Sequence, residues 1–560
     1  MFIDDQTYTK NNKVYRRILL RNSYRVNGKI RHNTIANLSQ CSEEEIKAFK
    51  LAIKHKGNLN KLTTTTDKVK TKQGLSVGAV WVINHLAKEL GISKALGKSR
   101  EAKLCLWMIM ATVIEQGSRL SATRLAQRHA VCDILNLDSF NEDDLYKAMD
   151  WLEERQEYIE NSLFHKRYHD YKPQFYLYDV TSSYFEGQQN ELSGWGYNRD
   201  GKKGKKQIVI GLMTDEDGWP ICTEVFEGNT KDTATVKNQI EKIAHRFGVE
   251  QVTMVGDRGM IKSIQIKDLS HKDFHYITAI TKPQIEKFIR KGIFQLALFD
   301  EDLAEISDDN TRYILRRNPV RAELIAAERN SKLDTLEKLV AQQTRYLVEH
   351  SRAKVEVALK KCIAKSAALK IHRWAKCKHE GRVLRVEIDT DEQDKVSRLD
   401  GCYALKTDLP GHAASPQRIH KRYKDLTEVE FAFRTMKTVL LEMRGIFVRK
   451  ANRTRAHVFI IMLAYLIAYK LRRFWYDVEV TVEEGIKELA SICSTEVLPP
   501  GQAAYHTIPE PRELGKILLS KIGLSLPDVL ISRDIKVVTR KKLVSERKIK
   551  KFKQLNKETI

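Results

Sequence analysis

Two aspartates close apolar, strand-like runs of the sequence, and carboxylates at such positions are candidates for chemistry. Asp179 closes the run FYLYDV, and Asp257 closes VTMVGD. A buried carboxylate is costly unless it is paired, hydrogen-bonded or bound to a metal, although Asp at a strand end is also a common turn residue. Because open α/β sheets place their sites beyond the carboxyl ends of the strands, the two aspartates together predict one site. Gly256 and Gly259 flank the second acid and would let the backbone approach a ligand closely.

The third candidate acid lies on a helix predicted over residues 420–441. At about 100° per residue, this helix carries one apolar stripe, formed by Leu426, Val429, Phe433, Met436 and Leu440. Tyr423, Glu430 and Lys437 align along one margin of the stripe, with Arg434 just beyond them. Glu430 is therefore expected where a helix packed on a sheet meets the rim of that sheet. The structural alternative is an ion pair between Glu430 and Arg434 at i+4.

Three carboxylates without His or Cys form the donor set of a hard cation, Mg²⁺ or Mn²⁺. Two such ions about 3.5–4 Å apart can hold the attacking and leaving oxygens of an in-line phosphodiester displacement. This chemistry forms no covalent protein–DNA intermediate, so the Thr-Ser-Ser sequence after Asp179 is not predicted to supply a nucleophile. Thr181 is instead a candidate to hold Asp179 by a hydrogen bond.

The elements around the acids follow a recognisable order. Three strand-like runs, FYLYDVTSSYF, KKQIVIGLMTD and WPICTEVFEG, come first. A helix (TATVKNQIEKIAHRFG), a strand (QVTMVGD), a helix (KSIQIKDL) and a strand (FHYITAI) follow. Three antiparallel strands followed by αβαβ is the order of a ribonuclease-H-like domain. The predicted fold class is therefore α+β and multidomain, with a ribonuclease-H-like catalytic core interrupted by an insertion and a helical N-terminal region.

The length of 560 residues exceeds what one hydrophobic core supports, so several domains are expected. The predicted segments are a β-hairpin region at 1–60, a linker at 61–76, a helical DNA-binding domain at 77–168, the first part of the core at 169–289, an insertion at 290–412, the second part of the core with the Glu helix at 413–475, and a C-terminal region with a basic tail at 476–560. Asn27-Gly28 marks the hairpin turn. The Arg- and Lys-rich face of this hairpin suits DNA contact and equally an ordinary charged surface. The run SATRLAQRHAV suits a helix-turn-helix reader, although short helical pairs are common in any helical domain.

Charge and composition point to the class of partner. Lys and Arg number 97 against 72 Asp and Glu, a net charge of +25. Such a surplus favours a polyanion, because each neutralised phosphate releases a counterion, and the alternative is a ribosome-associated or merely basic protein. The eight cysteines are scattered, as in reduced cytosolic proteins, and the sequence starts without a signal-peptide pattern. The apolar stretch Ala456–Ala468 predicts a buried helix too short to cross a bilayer, so no membrane partner is expected.

A lysine-rich segment brackets the strand that follows Asp179. It comprises Lys202, Lys203, Lys205 and Lys206. These lysines suit phosphate binding and a solvated loop about equally.

The signature helix resembles that of the DDE transposases of bacterial insertion sequences, in the superfamily marked by Tyr-x2-Arg-x3-Glu-x6-Lys. Tyr423, Glu430 and Lys437 match the pattern with its spacing, whereas Leu426 occupies the Arg position. In that family the Arg and the Lys are associated with the DNA strand near the cut, so Leu426 puts one contact in question. Arg422, Lys424 and Arg434 are the candidates to replace it.

Further stretches resemble the elongated, insertion-sequence-four-like group of these transposases. They are GYNRDGKKGKKQIVIGLMTDEDGWPICTEVFEGNTKD, VGDRGMI and RTRAHVFIIMLAYLI, within a likeness that runs from about residue 170 to 475. The resemblance implies a catalytic triad of Asp179, Asp257 and Glu430 holding two Mg²⁺ or Mn²⁺ ions, with Tyr423 and Lys437 near the DNA. It also implies double-stranded DNA, both element ends and target, as the substrate. A homodimer or larger synaptic complex acting in the bacterial cytoplasm, at the nucleoid, is expected.

Two other functions remain open at this stage. One is a DNA-binding repressor derived from a transposase and lacking catalysis, which the presence of all three acids disfavours. The other is a structure-specific nuclease of the same fold, such as a junction resolvase. The long insertion, the Tyr–Glu–Lys helix and the basic flanking segments disfavour that reading.

Overall fold

The computed structural model describes most of the chain. The described residues are 1–57, 70–187, 189–197, 199–232, 234–236, 239, 242, 246–247, 252–257, 260–261, 274–437, 441–443, 446–498 and 505–539. The helices predicted over TATVKNQIEKIAHRFG and KSIQIKDL lie largely or wholly outside these residues. Gly259, Leu440 and most of the basic C-terminal segment also lie outside them.

The N-terminal residues form a three-stranded antiparallel sheet. Its strands are β1 (Phe2–Lys10), β2 (Lys13–Val26) and β3 (Lys29–Asn37). The hairpin predicted at Asn27-Gly28 is confirmed, and both residues have positive φ, 50° and 75°, as a type I′ turn requires. A second two-residue turn at Asn11 and Asn12, with φ of 50° and 60°, joins β1 to β2.

One helix, α1 (Glu43–Lys54), covers one face of this sheet. Its first turn is closed by a capping box between Ser42 and Glu45, which satisfies backbone N–H groups that have no partner within the helix. Ile46 of the helix packs into a small core with Ile18 of β2.

The region predicted to be helical is confirmed as a bundle of helices. They are α2 (Gly78–Glu89), α3 (Ile92–Leu96), α4 (Arg100–Ile114), α5 (Arg119–Ala126), α6 (Val131–Leu135), α7 (Glu142–Glu154) and α8 (Gln156–Arg167). The run suggested as a helix-turn-helix reader forms α5 and α6, and α6 has five residues. Three of those residues are buried, so α6 is a core element and offers little surface to a DNA groove.

An eight-stranded sheet forms the centre of the molecule. Its strands are β5 (Phe175–Tyr184), β6 (Gln207–Thr214), β7 (Pro220–Phe226), β8 (Val252–Gly256), β9 (Phe274–Ala279), β10 (Ala304–Asp308), β11 (Thr311–Arg317) and β14 (Cys402–Thr407). Their spatial order is β10-β11-β14-β9-β8-β5-β6-β7. Strands β5, β6 and β7 pair antiparallel, β8 and β9 run parallel to β5, and the last three strands return antiparallel.

The segment predicted as an insertion supplies the outer three strands, β10, β11 and β14, to this sheet. Helix α9 (Lys282–Arg290) precedes them. Between β11 and β14 the chain forms α10 (Pro319–Glu349), α11 (Val355–Ala368), a hairpin of β12 (Ala375–Glu380) and β13 (Val383–Ile388), and α12 (Thr390–Ser397). Helices α10 and α11 and the β12–β13 hairpin share a separate core around Leu336, Trp374 and Leu384.

The helix predicted over 420–441 is in fact two helices, α13 (Pro416–Lys424) and α14 (Leu426–Lys437), and the prediction of one long helix was wrong. Helix α13 ends at Asp425, whose carboxylate accepts a hydrogen bond from Arg422 at 3.0 Å. Asp425 itself keeps helical φ and ψ of −61° and −12°, so the interruption is one residue long.

The predicted buried helix is α15 (Ala451–Phe474). It is longer than the apolar stretch suggested and, by length and composition, is the one described helix able to span a membrane, with a mean hydropathy of 1.4. However, 83% of that window is buried in the protein, where α15 packs against α4, α7 and β7. Its composition is therefore that of a core helix. Burial lowers the pKa of His457 on this helix to about 3.

Two predicted irregular segments are ordered by distant partners. Part of the predicted linker forms β4 (Lys70–Ser76), which pairs with β15 (Cys493–Leu498), and β15 also pairs with β16 (Tyr505–Thr507). The C-terminal region also holds α16 (Val482–Ala490) and α17 (Glu513–Ile522). The predicted basic tail begins with an anchored stretch, because Arg533 contacts Asp138 at 3.2 Å and Val537 is buried.

Candidate active site

The register of β5 and β8 brings the two aspartates to the same level of the sheet. The parallel pairing of these strands includes Leu177 with Val255 and ends at Tyr178 with Gly256. Asp179 and Asp257 are the next residue on each strand. Side chains alternate between the two faces of a strand, and Leu177 and Val255 share one core cluster, so the two acids belong to the same face.

The sequence suggested that Asp179 closes its strand. In the structure Asp179 lies within β5. The strand continues to Tyr184 because β6 pairs with it along its whole length, with Asp179 opposite Leu212. The carboxylate is accessible because β8 stops at Gly256. The end of the neighbouring strand therefore opens the sheet at Asp179.

Helix α14 brings the third acid over this opening. The predicted apolar stripe is confirmed for Val429, Phe433 and Met436, which are buried against the sheet together with Ala432. Glu430, on the exposed margin of the helix, lines a cavity of about 700 Å³ together with Asp179 and Asp257.

Burial and like charge raise the pKa of Asp179 to about 6. Desolvation is the largest cause, and the negative charges of Glu430 and Asp257 add to it. The backbone N–H of Val180 and the guanidinium of Arg199 act in the opposite direction. A cation placed among the three carboxylates would remove the repulsion that keeps a proton on Asp179.

The donor set fits a hard divalent cation in chemical type. Within the described ranges, no three His, Cys, Asp or Glu side chains lie close enough together to hold an ion. The three carboxylates thus line one cavity without forming a closed cage. The hydroxyl of Tyr423 donates to Asp257 Oδ1 at 3.4 Å, which links the start of the signature to the second acid.

Lys437 lines the wall of the same cavity, and its side chain is largely buried. Its Nζ lies 3.0 Å from Asp200 Oδ1 and donates to the carbonyl of Ser182 at 2.5 Å. The side chains of Lys437 and Asp200 are 10% and 5% exposed. The position of Asp200 beside α14 follows from the tertiary fold.

Arg199 and Asp200 are site residues that the sequence reasoning missed. Arg199 donates to the carbonyl of Val180 and to Asp232 Oδ2, the latter at 2.6 Å. Its backbone N–H donates to Ser182 Oγ at 2.9 Å. An Arg-Asp pair directly before a lysine-rich turn was the available signal.

The other predicted DNA contacts divide into exposed and packed residues. Arg434 is exposed at the cavity, and Tyr423 is half-buried. Leu426, at the position where the family pattern has Arg, packs against the apolar core as predicted and also borders the cavity.

The four lysines of the segment after Asp179 are all exposed. They are Lys202, Lys203, Lys205 and Lys206. Gly201 and Gly204 turn the backbone there with positive φ, 69° and 72°. Lys205 pairs with Glu186 at 2.8 Å, and Lys202 lies over the ring of Tyr184.

Two smaller expectations about the site do not hold. The hydrogen bonds of the described residues include none between Thr181 and Asp179, since residues i and i+2 of a strand lie about 7 Å apart along it. Gly256 was expected to let the backbone approach a ligand. A Cβ on Gly256 would lie 3.1 Å from Ile261 Cδ1, so the missing side chain makes room for Ile261.

Comparison with known families defines the class of this protein. Residues 170–467, more than half of the chain, match the family model described as Transposase DDE domain, and the chain belongs to the DDE transposases. Residues 5–65 match the IS1634 family transposase, N-terminal domain. The protein is therefore an insertion-sequence transposase of the IS1634 family, which confirms the resemblance found in the signature helix.

Two further comparisons add little. No curated protein matches the chain. Among solved structures, a piggyBac transposase synaptic complex with hairpin DNA is similar at 9% identity, with 70% of each chain covered and a TM-score of 0.34.

Proposed function

We propose that this transposase binds the terminal inverted repeats of its own element, cleaves the DNA and joins the freed 3′ ends to target DNA. One observation carries the proposal. The pairing of Tyr178 with Gly256 sets Asp179 beside Asp257 on the face that α14 covers, and Glu430 lines the same cavity.

The order of strands supports a ribonuclease-H-like core. Five strands run β7-β6-β5-β8-β9 across the sheet, the first three antiparallel and the next two parallel to β5. This agrees with the order inferred from the sequence. We further propose that the core spans 169–289 and 413–475, and that the segment 290–412 interrupts it.

We assign Asp179, Asp257 and Glu430 as ligands of two divalent ions, Mg²⁺ or Mn²⁺, as oxygen-only donors favour. When bound, such ions supply activation of the attacking oxygen and stabilisation of the leaving oxygen. Asp179 must release its proton to become a ligand, and its raised pKa makes that step sensitive to pH. Tyr423 holds Asp257 in position through its hydroxyl.

Exposed cations beside the cavity are suited to hold the DNA backbone. Arg434 borders the cavity. The lysine segment directly precedes β6, the strand that pairs with β5 at Asp179. Lys437 acts indirectly, because its ammonium group joins Asp200, in the segment before the lysines, to Ser182 of β5.

Since an insertion sequence has two ends, we expect a homodimer or larger synaptic complex, acting on DNA in the bacterial cytoplasm.

The test is cleavage of duplex DNA that carries the ends of the element, by purified full-length protein with Mg²⁺. Asp179→Asn, Asp257→Asn and Glu430→Gln should each reduce cleavage by at least about 100-fold while leaving DNA affinity nearly unchanged, because affinity comes mainly from Lys and Arg contacts. Glu428→Gln removes the same charge from the same helix and is the matched control, with activity near that of the wild type. Cleavage by any of the three variants near the wild-type rate would remove that residue from the triad.

A repressor without catalysis is the second candidate. The observation that favours it is the spacing of the described acids, which do not converge into a group of three able to hold an ion. Manganese binding, followed by electron paramagnetic resonance, decides between the two. Binding of Mn²⁺ that Asp179→Asn abolishes supports the nuclease, whereas DNA binding with neither Mn²⁺ binding nor cleavage supports the repressor.

A further inference from the structure

The N-terminal sheet consists of two ribbons that share their middle strand. Strand β1 pairs with β2 from Lys13 to Arg21, and β3 pairs with β2 from Leu19 to Val26. The sheet is therefore three strands wide near its centre, over Leu19–Arg21, and two strands wide at each end. A two-stranded ribbon has the width that the major groove of DNA admits, about 12 Å.

The two faces of this sheet differ in what covers them. The face that includes Ile18 packs against α1 through Ile46, and Arg16 on that face pairs with Glu43 of the helix. The opposite face carries the alternate residues of β2. No described helix packs on it, and the hydrogen bonds and ion pairs that residues 1–57 form with described residues are made within that segment.

The open face is basic towards both ends of β2, whereas at its centre Leu19 is buried and Asp4, opposite Leu19, pairs with Arg21. Between Asp5 and Glu43 the sequence contains eight Lys or Arg residues and no acid. Lys13, Arg17 and Arg25 lie on the open face at intervals of four or eight residues, and Lys10 of β1 lies directly opposite Lys13. All four are exposed, and they form no ion pair with a described residue. From Lys13 to Arg25 the strand spans about 40 Å, more than one helical turn of DNA, about 34 Å.

Two tyrosines on the open face favour duplex DNA over single strands. Tyr8 and Tyr15 face each other across β1 and β2, 48% and 45% exposed, with ring centroids 5.8 Å apart and planes 19° from parallel. Since each ring stacks on the other, one face of each is unavailable to an unpaired base, which is the usual ligand of an aromatic platform. Hydroxyls at the rim of such a pair suit backbone contacts to a duplex.

We propose that this open face, with Lys10, Lys13, Arg17 and Arg25, is the surface through which the protein grips double-stranded DNA, the β1–β2 ribbon entering the major groove. The inference rests on the proposed function for duplex DNA as the partner. It assigns DNA contact to residues 1–57, where the sequence left DNA contact and an ordinary charged surface equally open, in addition to the DNA-binding role expected of the helical segment 77–168.

The sheet offers a matched pair of variants. R17A/R25A removes two exposed cations from the open face. K29A/R31A removes two exposed cations from the opposite face, where Lys29 pairs with Val26 and Arg31 with Tyr24. Both variants keep the Ile18 core intact, and thermal melting of each full-length protein verifies folding.

The experiment measures binding of full-length protein to a duplex of about 30 base pairs, three helical turns, by fluorescence anisotropy over a range of salt. R17A/R25A should weaken binding by at least about 10-fold and lower the slope of log affinity against log salt by about 2, since each lost phosphate contact contributes about 0.9. K29A/R31A should change affinity less than about 3-fold, and R17K/R25K should retain most of the affinity.

The outcomes separate this inference from the proposed function. Failure of the wild-type protein to bind duplex at low salt contradicts the proposed function itself. Duplex binding by the wild type that R17A/R25A leaves unchanged, or that K29A/R31A weakens equally, overturns the assignment of the open face alone. Tighter binding of single-stranded DNA or RNA of equal length, lost in R17A/R25A, overturns the duplex as the ligand of this face.

Discussion

The N-terminal sheet and the central sheet differ in how many of their faces are covered. Every residue of β6 in the central sheet is buried, whereas β3 of the N-terminal sheet has no buried residue. The central sheet raises the pKa of Asp179, and the N-terminal sheet presents cations to solvent. A covered sheet can hold carboxylates in a rigid, poorly solvated site, and an open sheet can offer charge at little desolvation cost.

The largest expected difference in stability between variants of the two sheets concerns apolar side chains. Ile210 of β6 is fully buried, and Ile30 of β3 is 59% exposed. Ile210→Ala should lower the free energy of unfolding by about 3–4 kcal/mol, and Ile30→Ala should change it by less than about 0.5 kcal/mol. Urea denaturation of both variants measures this, and equal losses would show that the N-terminal sheet is covered in solution.

Breaking an ion pair should also cost more stability in the central sheet than in the N-terminal sheet. Lys437→Ala removes the cation facing the buried Asp200 and should cost about 2–4 kcal/mol of stability. Arg21, 26% exposed, pairs with Asp4 in the N-terminal sheet. Arg21→Ala should cost no more than about 1 kcal/mol. A melting temperature of Lys437→Ala equal to that of the wild type would contradict the buried pair.

The two sheets should also respond to pH with opposite sign. The raised pKa of Asp179 means that the metal-free protein loses stability as pH rises from about 4 to 6. Asp179→Asn lacks this loss and should be more stable than the wild type at pH 8, by up to about 3 kcal/mol, with little gain near pH 4. Thermal melting in chelator at both pH values measures the difference.

Asp5 provides the comparison in the N-terminal sheet. Hydrogen bonds from Arg16 and Lys50 hold the pKa of Asp5 well below its usual range. The stability that this carboxylate contributes is present above about pH 4 and is lost as pH falls. Asp5→Asn should therefore lower the melting temperature slightly at pH 7, and the difference should shrink in acid. An Asp5→Asn variant that melts above the wild type at pH 7 would contradict the assignment.

A modest difference in stability is expected between the family's Arg position and an exposed position of the N-terminal sheet. Leu426 is partly exposed while it packs on the core, so Leu426→Ala should cost about 1–2 kcal/mol. Val14→Ala, at a site 71% exposed in the N-terminal sheet, should be neutral within about 0.5 kcal/mol. If Leu426→Ala melts like the wild type and loses DNA binding, the residue contacts DNA and not the core.

Local patterns in the sequence predicted local structure well. The Asn27-Gly28 turn, the strand runs that include β5, β6 and β8, and the stripe of α14 follow from turn chemistry and hydrophobic periodicity, which act between near neighbours. The same patterns missed the break at Asp425 and the strand at Lys70–Ser76. Pairing with a strand more than 400 residues away decides the second.

The sequence by itself determined which residues could do chemistry: Asp179, Asp257 and Glu430, on two apolar strands and an amphipathic helix. It determined the family as well, through the spacing of Tyr423, Glu430 and Lys437. The tertiary structure alone decided that β8 ends beside Asp179, that Asp200 neutralises Lys437, and that one face of the N-terminal sheet stays open. Strand register, burial and ion pairing between distant segments depend on packing of the whole chain, and no local pattern encodes them.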